Sequence, residues 1–340
     1  MMKQIRTFGI AISFVLFVLL LTTGCTKPAE KPAQTKIESE EQKQTVKLAL
    51  KFIPNDSTTY KVTTDADNSL TWESADSDKP KGFTGGHTSR KSEITFTQQI
   101  QNIDDKGNAV VKITINELKY LLTVKNDITM DFDSSRQHDR QNPLSKLIGQ
   151  SYIVEMTASG EVSKVIDAND ARAAIKGTSA ADKTAANFLS QKEIMERHTI
   201  PALPATDESQ LRTGENWSRV RSFSFTMMGS KAYEKIYTLK EIKGVNNRRI
   251  AIAQMEAVPS AERAKELHEE QSTSFFANMS DNTETYTGEL KLDLTNGKVE
   301  EYREKLITEW LIVDPNPKEN EPPAALKMGA VRSYSIEKID

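Results

Sequence analysis

The residues of this chain best placed to do chemistry are two carboxylates. Asp131 and Asp133 stand two apart in Ile128-Thr129-Met130-Asp131-Phe132-Asp133, so a strand turns both to one face. There they are close enough to share a cation or to raise one another's pKa as an acid/base pair. The favoured reading is plainer: a solvated strand edge kept soluble by its charge. An EF-hand loop counted from Asp131 needs glycine at its sixth position, and Arg136 stands there. Asp104-Asp105 reads as a turn. Of the histidines, His87 follows Gly85-Gly86 in a loop, and His198, just before a helix-ending proline, reads as a favourable charge at a helix C-terminus. His138 and His268 complete the set. None has zinc-ligand spacing, and His268-Glu269-Glu270-Gln271-Ser272 lacks the second histidine one turn later. There is no G-x-S-x-G elbow and no phosphate-binding glycine loop. No catalytic residue, metal ligand or cofactor is assigned, and the chain is not read as an enzyme.

The single cysteine, Cys25, needs its own context. Lys3 and Arg6 precede an uncharged apolar run, Phe8 to Leu21, followed by Leu21-Thr22-Thr23-Gly24-Cys25. The run is about 14 residues, short of the roughly 20 a spanning helix needs, and has the layout of a secretory signal. Its ending resembles the lipobox of bacterial lipoproteins. The resemblance implies cleavage after Gly24 and acylation at Cys25, a lipid anchor strong enough to hold a folded domain at a bilayer. The implied partner is therefore the membrane, at the outer side of the cytoplasmic membrane or in the outer membrane. The formal net charge is −3, from 45 basic and 48 acidic residues. No basic excess exists to neutralise phosphates, so nucleic-acid binding is disfavoured. With Cys25 acylated, no thiol remains for a disulfide or a cysteine nucleophile.

Residues 25–45 are rich in Lys, Glu, Gln, Pro and Ala and read as a flexible tether behind a signal peptide at 1–24. Strand patterns dominate afterwards. Ile94, Phe96 and Ile100 share one parity, and Val111, Ile113 and Ile115 alternate with polar residues beyond an Asp104-to-Asn108 turn, which makes a hairpin. Tyr152, Val154 and Met156 continue the alternation up to Ser159-Gly160. Near 168–200 the period changes. Asp167 and Asp170 can cap a short Ala-rich helix, and Ala185, Phe188, Leu189 and Met195 lie at helical spacing, ending before Pro201. Strands return at Phe223–Met227, Ile236–Leu239 and Ile250–Ala253, with Asn246-Asn247 as a turn. Ser260 to Glu270 reads as a short exposed helix, and Pro315 to Pro323 as a polar loop. Tyr286, Leu290, Leu292 and Leu294 form the clearest strand, closed by the hairpin signal Asn296-Gly297. Gly149, Gly160 and Gly214 are expected to supply turn angles, and Trp217 to fill a core.

The expected fold is mainly β, in the α+β class: antiparallel curved sheets with a helical segment near 168–200. A coarse duplication suggests two similar β subdomains, 46–166 and 205–340, flanking a helical connector at 167–204. Five ordered landmarks support a family assignment: Asp133-Ser134-Ser135, Leu147-Ile148-Gly149-Gln150-Ser151, Ser159-Gly160-Glu161-Val162, Leu203-Pro204 and Gly214-Glu215-Asn216-Trp217. Together, across about residues 45–310, they resemble a domain of unknown function found in secreted bacterial lipoproteins. The resemblance implies no activity or site residue. Gly82-to-Arg90 and Pro315-to-Pro323 depart from its pattern. The resulting expectation is a membrane-anchored carrier or binding module for a lipid or other apolar ligand. The alternative is an envelope structural or protein-interaction module with a fully packed core.

Overall fold

The computed structural model describes residues 45–73, 84–205, 210–225, 229–260, 280–313 and 324–339. The signal, Cys25 and most of the tether lie outside them, as do His268 and the segments 261–279 and 314–323. One compact unit, Ser39–Asp340, holds all the described residues.

In chain order the strands are β1 (Val46–Lys47), β2 (Ser57–Glu73), β3 (Gly86–Ile103), β4 (Ala109–Val124), β5 (Asp127–Asp133), β6 (Ser151–Met156) and β7 (Val162–Asp167). Helices α1 (Asn169–Ala174), α2 (Ala180–Phe188) and α3 (Gln191–His198) follow. Then come β8 (Gln210–Leu211), β9 (Asn216–Phe225), β10 (Gly229–Val245), β11 (Arg248–Pro259), β12 (Ser280–Asp293), β13 (Lys298–Val313) and β14 (Ala325–Lys338). The class is as expected: antiparallel β with a small helical part. Twelve strands form one sheet in the order β7-β6-β4-β3-β2-β14-β13-β12-β11-β10-β9, with β5 also pairing β4. The first and second halves of the chain are continuous through the β2–β14 ladder, from Tyr60↔Lys338 to Glu73↔Ala325.

This sheet must curl. Laid flat, its eleven strands in a row would hold β7 and β9 about 48 Å apart. Yet the short segment 199–203, which spans at most about 18 Å, bonds to both edges. On one side Ile200 N–H donates to Gly160 O at 2.7 Å, and Val162 N–H donates to Thr199 Oγ1 at 3.1 Å. On the other, Trp217 Nε1–H donates to Ala202 O at 2.8 Å, and Arg219 donates twice to Leu203 O at 2.8 and 2.9 Å. Gly160 is required at this seam. Its φ is +77°, and an added Cβ would press on Ile200 and Leu203 at 3.0–3.1 Å.

The concave face carries the core. Tyr60, Val62, Ile94, Phe96, Ile113, Ile115, Tyr152, Val154, Leu290, Tyr302 and Ile336 are all buried on it. The N-terminal segment closes one end, where Leu48 and Leu50 are buried. Leu50 N–H donates to Ala158 O at 2.8 Å and Lys51 N–H to Gly297 O at 3.0 Å. The Asn296-Gly297 hairpin forms, but with four residues between the last paired positions, Asp293↔Lys298. The reason is Asp293, whose buried carboxylate accepts from Thr295 N (2.8 Å), Asn296 N (3.2 Å) and Asn296 Nδ2 (2.8 Å). That side-chain turn competes with a tighter backbone turn. Asn246-Asn247, both at positive φ (46° and 63°), makes the two-residue turn instead.

The single helical stripe expected near 185–195 is two helices. Ser179 and Asp182 form a capping box on α2, and Ser190 caps α3 by accepting from Glu193 N. A serine that can start a new helix breaks the old one. The carbonyls freed at the break are met by arginines: Arg197 donates to Phe188 O at 2.9 Å and Arg172 to Leu189 O at 2.8 Å.

His198 corrects its expected role. It is in the last turn of α3 but only 2% exposed, with Nε2 lying 2.6 Å from the Tyr152 hydroxyl. Burial, then the neighbouring Arg197, pushes its pKa well below 6.5, so it carries no charge to favour a helix end. The unfolded chain binds a proton near pH 6.5 that the folded chain refuses. Stability is therefore fully present above that pH and declines as pH falls below it, by up to about 1.4 kcal/mol per unit. Urea unfolding from pH 7.5 to 5 is expected to show this decline, and His198→Gln to flatten it. Equal slopes for both proteins would refute the assignment.

Candidate functional site

Asp131 and Asp133 do not form a site. Their ladder partners on β4 are Leu121 and Lys119, on the convex side of the sheet. Asp131 takes two hydrogen bonds from Arg136, at 2.8 and 3.2 Å. Asp133 accepts from Ser135 N and Oγ at 2.9 and 2.7 Å, and those bonds hold its pKa below the usual carboxylate value. The pair therefore braces the turn after β5. His87 and Asp67 pair on the same convex side, and His138 is largely exposed. Among the described residues no group of three or more His, Cys, Asp or Glu is arranged to hold a metal.

The concave face offers more. Along β2 the inward positions Tyr60 and Val62 are buried, while Thr64, Ala66, Asn68, Leu70 and Trp72 are only half-buried. Helices α2 and α3 cover the first part and leave a trough over the second. Its outer chamber, about 300 Å³, is walled by Leu70 of β2, Phe225 of β9, Trp310 of β13, and Met328 and Ala330 of β14. Phe225 and Trp310 meet edge to face, 5.1 Å between centroids. Two residues further along β9 and β14, and four along β2, an inner chamber of about 220 Å³ is walled by Ala66, Arg90, Phe223, Glu304 and Arg332, with Glu193 and Glu196 of α3 above. The inner chamber shares Arg221, Phe223, Glu196 and Tyr334 with a cavity of about 540 Å³ at the β7–β9 seam.

The inner chamber is charged because strand alternation puts charges there. On β13, Glu304 has the parity of Tyr302, Leu306 and Trp310; on β10, Lys235 has that of Tyr233 and Tyr237. Lys235 (1% exposed) and Glu304 (5%) are both inside. Lys235 Nζ donates to Glu304 Oε2 at 3.0 Å, while Arg221 binds Oε1 and the Tyr302 hydroxyl donates to Oε2. Tyr302 and Tyr237 continue the chain, hydroxyl to hydroxyl, at 3.0 Å. Burial pushes Lys235 down to about 8 against the pull of Glu304. Burial works to raise the Glu304 carboxyl, but Lys235 and Arg221 outweigh it and hold the group below its ordinary value. The carboxylate and both cations are thus all charged at neutral pH.

Sequence reasoning missed Arg90, Arg221, Lys235, Glu304, Trp310 and Arg332. One signal was present: a charged residue flanked at i±2 by tyrosine or leucine has the buried parity of its strand. Reading only the apolar members of each alternation hides it.

A family described as a family of unknown function, DUF6263, matches residues 106–299, from the β3–β4 turn to the start of β13. No curated protein matches the sequence. Among solved structures, one titled "Lipid-protein interactions in lipovitellin" aligns at TM-score 0.37 and 11% identity over 85% of this chain. This chain spans only 26% of that one. The crystal structure of Pseudomonas aeruginosa OccK2 (OpdF) aligns at TM-score 0.20 and 7% identity, over 84% of this chain and 98% of the other. At these scores neither likeness carries an argument. No helix among the described residues is long and apolar enough to cross a membrane.

Proposed function

The chain belongs to DUF6263, a family of unknown function, and we propose that it is a membrane-tethered carrier whose trough shelters the apolar part of a ligand. The observation behind this reading is open, partly apolar space on the concave face. About 300 Å³ lies against Leu70, Phe225, Trp310 and Met328, and the separate inner chamber is walled by the next inward residues of β9 and β14, Phe223 and Arg332. Small-molecule sites occupy roughly 300–1,000 Å³. A ligand chain laid against that lining would take its apolar surface out of water.

Trp310 gives the test a reporter. The unit Ser39–Asp340 contains every described element and its own core, so it can be prepared as a separate protein. Titrated with dodecanol, it is expected to show a saturable change in tryptophan emission that disappears in Trp310→Phe. Native mass spectrometry should find the alcohol bound one to one. If neither dodecanol nor an anionic alkyl chain binds, the carrier reading is wrong. The alternative, an envelope structural or protein-interaction module, would then be the reading that remains.

The tether belongs to the same proposal. Acylated Cys25 would hold the unit at the outer side of the cytoplasmic membrane or in the outer membrane, and the Leu21-to-Cys25 sequence supports this. Labelled palmitate is expected to enter the wild-type protein and not Cys25→Ser. Label in both, or in neither, removes the anchor.

A further inference from the structure

We propose that the ligand of the trough is an amphiphile with an oxyanion at one end, held by Arg332 and Arg90 above Ala66. This rests on the carrier reading and adds the chemistry of the head group.

The register builds the cradle. Arg332 of β14 pairs with Ala66 of β2, and Ala66 with Arg90 of β3. Residues directly opposite one another in a ladder share a face, so one row across three strands reads arginine, alanine, arginine. The two arginine Cα atoms are two strand spacings apart, roughly 9.6 Å. Between them stands a single methyl group. The row beside it holds Thr64 and Ser92, whose hydroxyls lie 2.7 Å apart. Asn68 lies on the other side.

Arg332 is held open for a ligand. Its Nη1 donates to the carbonyls of Asp67 (2.7 Å) and Val331 (2.8 Å), and its Nη2 to Asn68 Oδ1 (2.7 Å). All three acceptors are neutral. A guanidinium has five N–H donors, so Nε–H and one Nη2–H remain. Two N–H donors are what a carboxylate or phosphate takes from one arginine. Among the described residues Arg332 makes no ion pair, and neither does the buried Arg197, which donates to Phe188 O and the Tyr152 hydroxyl, whereas three other inward cations are matched. Arg221 and Lys235 share Glu304, and Lys231 pairs with Glu284. Arg90 has one carboxylate partner, Glu193, at 3.9 Å. Asp67, on the opposite face of β2, is taken by His87. Burial disfavours the charge on Arg332, Asp67 and Asp65 favour it and the nearby Arg90 disfavours it, with a lowered pKa as the net result; an oxyanion between the two arginines would offset the burial and the repulsion.

The site also points to a chain behind the head group. The Arg332 guanidinium lies 5.5 Å from the centroid of Phe225, and Phe225 walls the apolar outer chamber with Trp310 and Met328. A head group on Arg332 therefore has apolar surface one side chain away. A free inorganic anion would leave that surface unused.

Calorimetry on the unit Ser39–Asp340 tests this with dodecyl phosphate, dodecanol and inorganic phosphate. Dodecyl phosphate is expected to bind most tightly and to weaken as salt is raised. Arg332→Gln and Arg90→Gln are each expected to lower its affinity roughly ten-fold or more and to leave dodecanol unchanged. Arg90 is exposed, so its variant folds whatever becomes of Arg332→Gln. Equal affinity for the phosphate and the alcohol, or indifference of dodecyl phosphate to Arg90→Gln, overturns the oxyanion site and leaves the carrier. Inorganic phosphate binding as tightly as dodecyl phosphate makes it a free-anion site and overturns the amphiphile. No binding of either alkyl compound overturns the carrier reading itself.

Discussion

Glu304→Ala is expected to destabilise the protein by about 3–5 kcal/mol. The substitution strands Lys235, 1% exposed, and Arg221 without the carboxylate that neutralises them, and leaves the Tyr302 hydroxyl without its acceptor. Breaking one side of a buried ion pair is far more damaging than replacing both sides with apolar groups. The double variant Glu304→Ala with Lys235→Met should therefore recover part of the loss. Urea unfolding of the three proteins at neutral pH checks this. A Glu304→Ala loss below about 1 kcal/mol, the range of exposed pairs, would mean that the cluster is not buried as described. The pH dependence has a definite sign. Because the Glu304 carboxyl sits below its ordinary value of 4.5, its contribution is complete above that pH. It is lost only as pH falls through the lower, folded value.

Trp217→Ala is expected to lose about 3–5 kcal/mol, the range for emptying an aromatic site. Trp217 is 4% exposed and stacks on Tyr237 at 5.3 Å with a 12° tilt. Its Nε1–H holds Ala202 O, so the loss falls on the core and the seam together. Trp217→Phe keeps much of the stacking area and gives up the hydrogen bond, for which about 1 kcal/mol is expected. Thermal unfolding separates the two. If both variants behave alike, the indole N–H does not help to hold the seam.

The alternation of apolar residues along β3, β4, β6 and β12 was legible, because each strand buries one face and shows water the other. The burial of Trp217 was legible for the same reason, and Gly149, Gly160 and Gly214 do have positive φ. The joining of the halves was not. Tyr60 and Lys338 pair across almost the whole chain, and nothing local to either strand names its partner. The break between α2 and α3 turned on Ser190, which is a cap only once the chain before it has stopped. The arginine cradle depended on register. Arg90, Ala66 and Arg332 belong to three strands that no local pattern places side by side. The family match at 106–299 does not reach Arg90, Glu304, Trp310 or Arg332, so most of the trough's distinctive chemistry lies in strands outside it.

Segment 199–203 is a clasp on an incomplete ring. The strands of the large sheet are joined by backbone ladders, but the gap between β7 and β9 is fastened by a handful of bonds to one short strap. Those bonds can open without unzipping any ladder. The girth of the ring is thus set at one place.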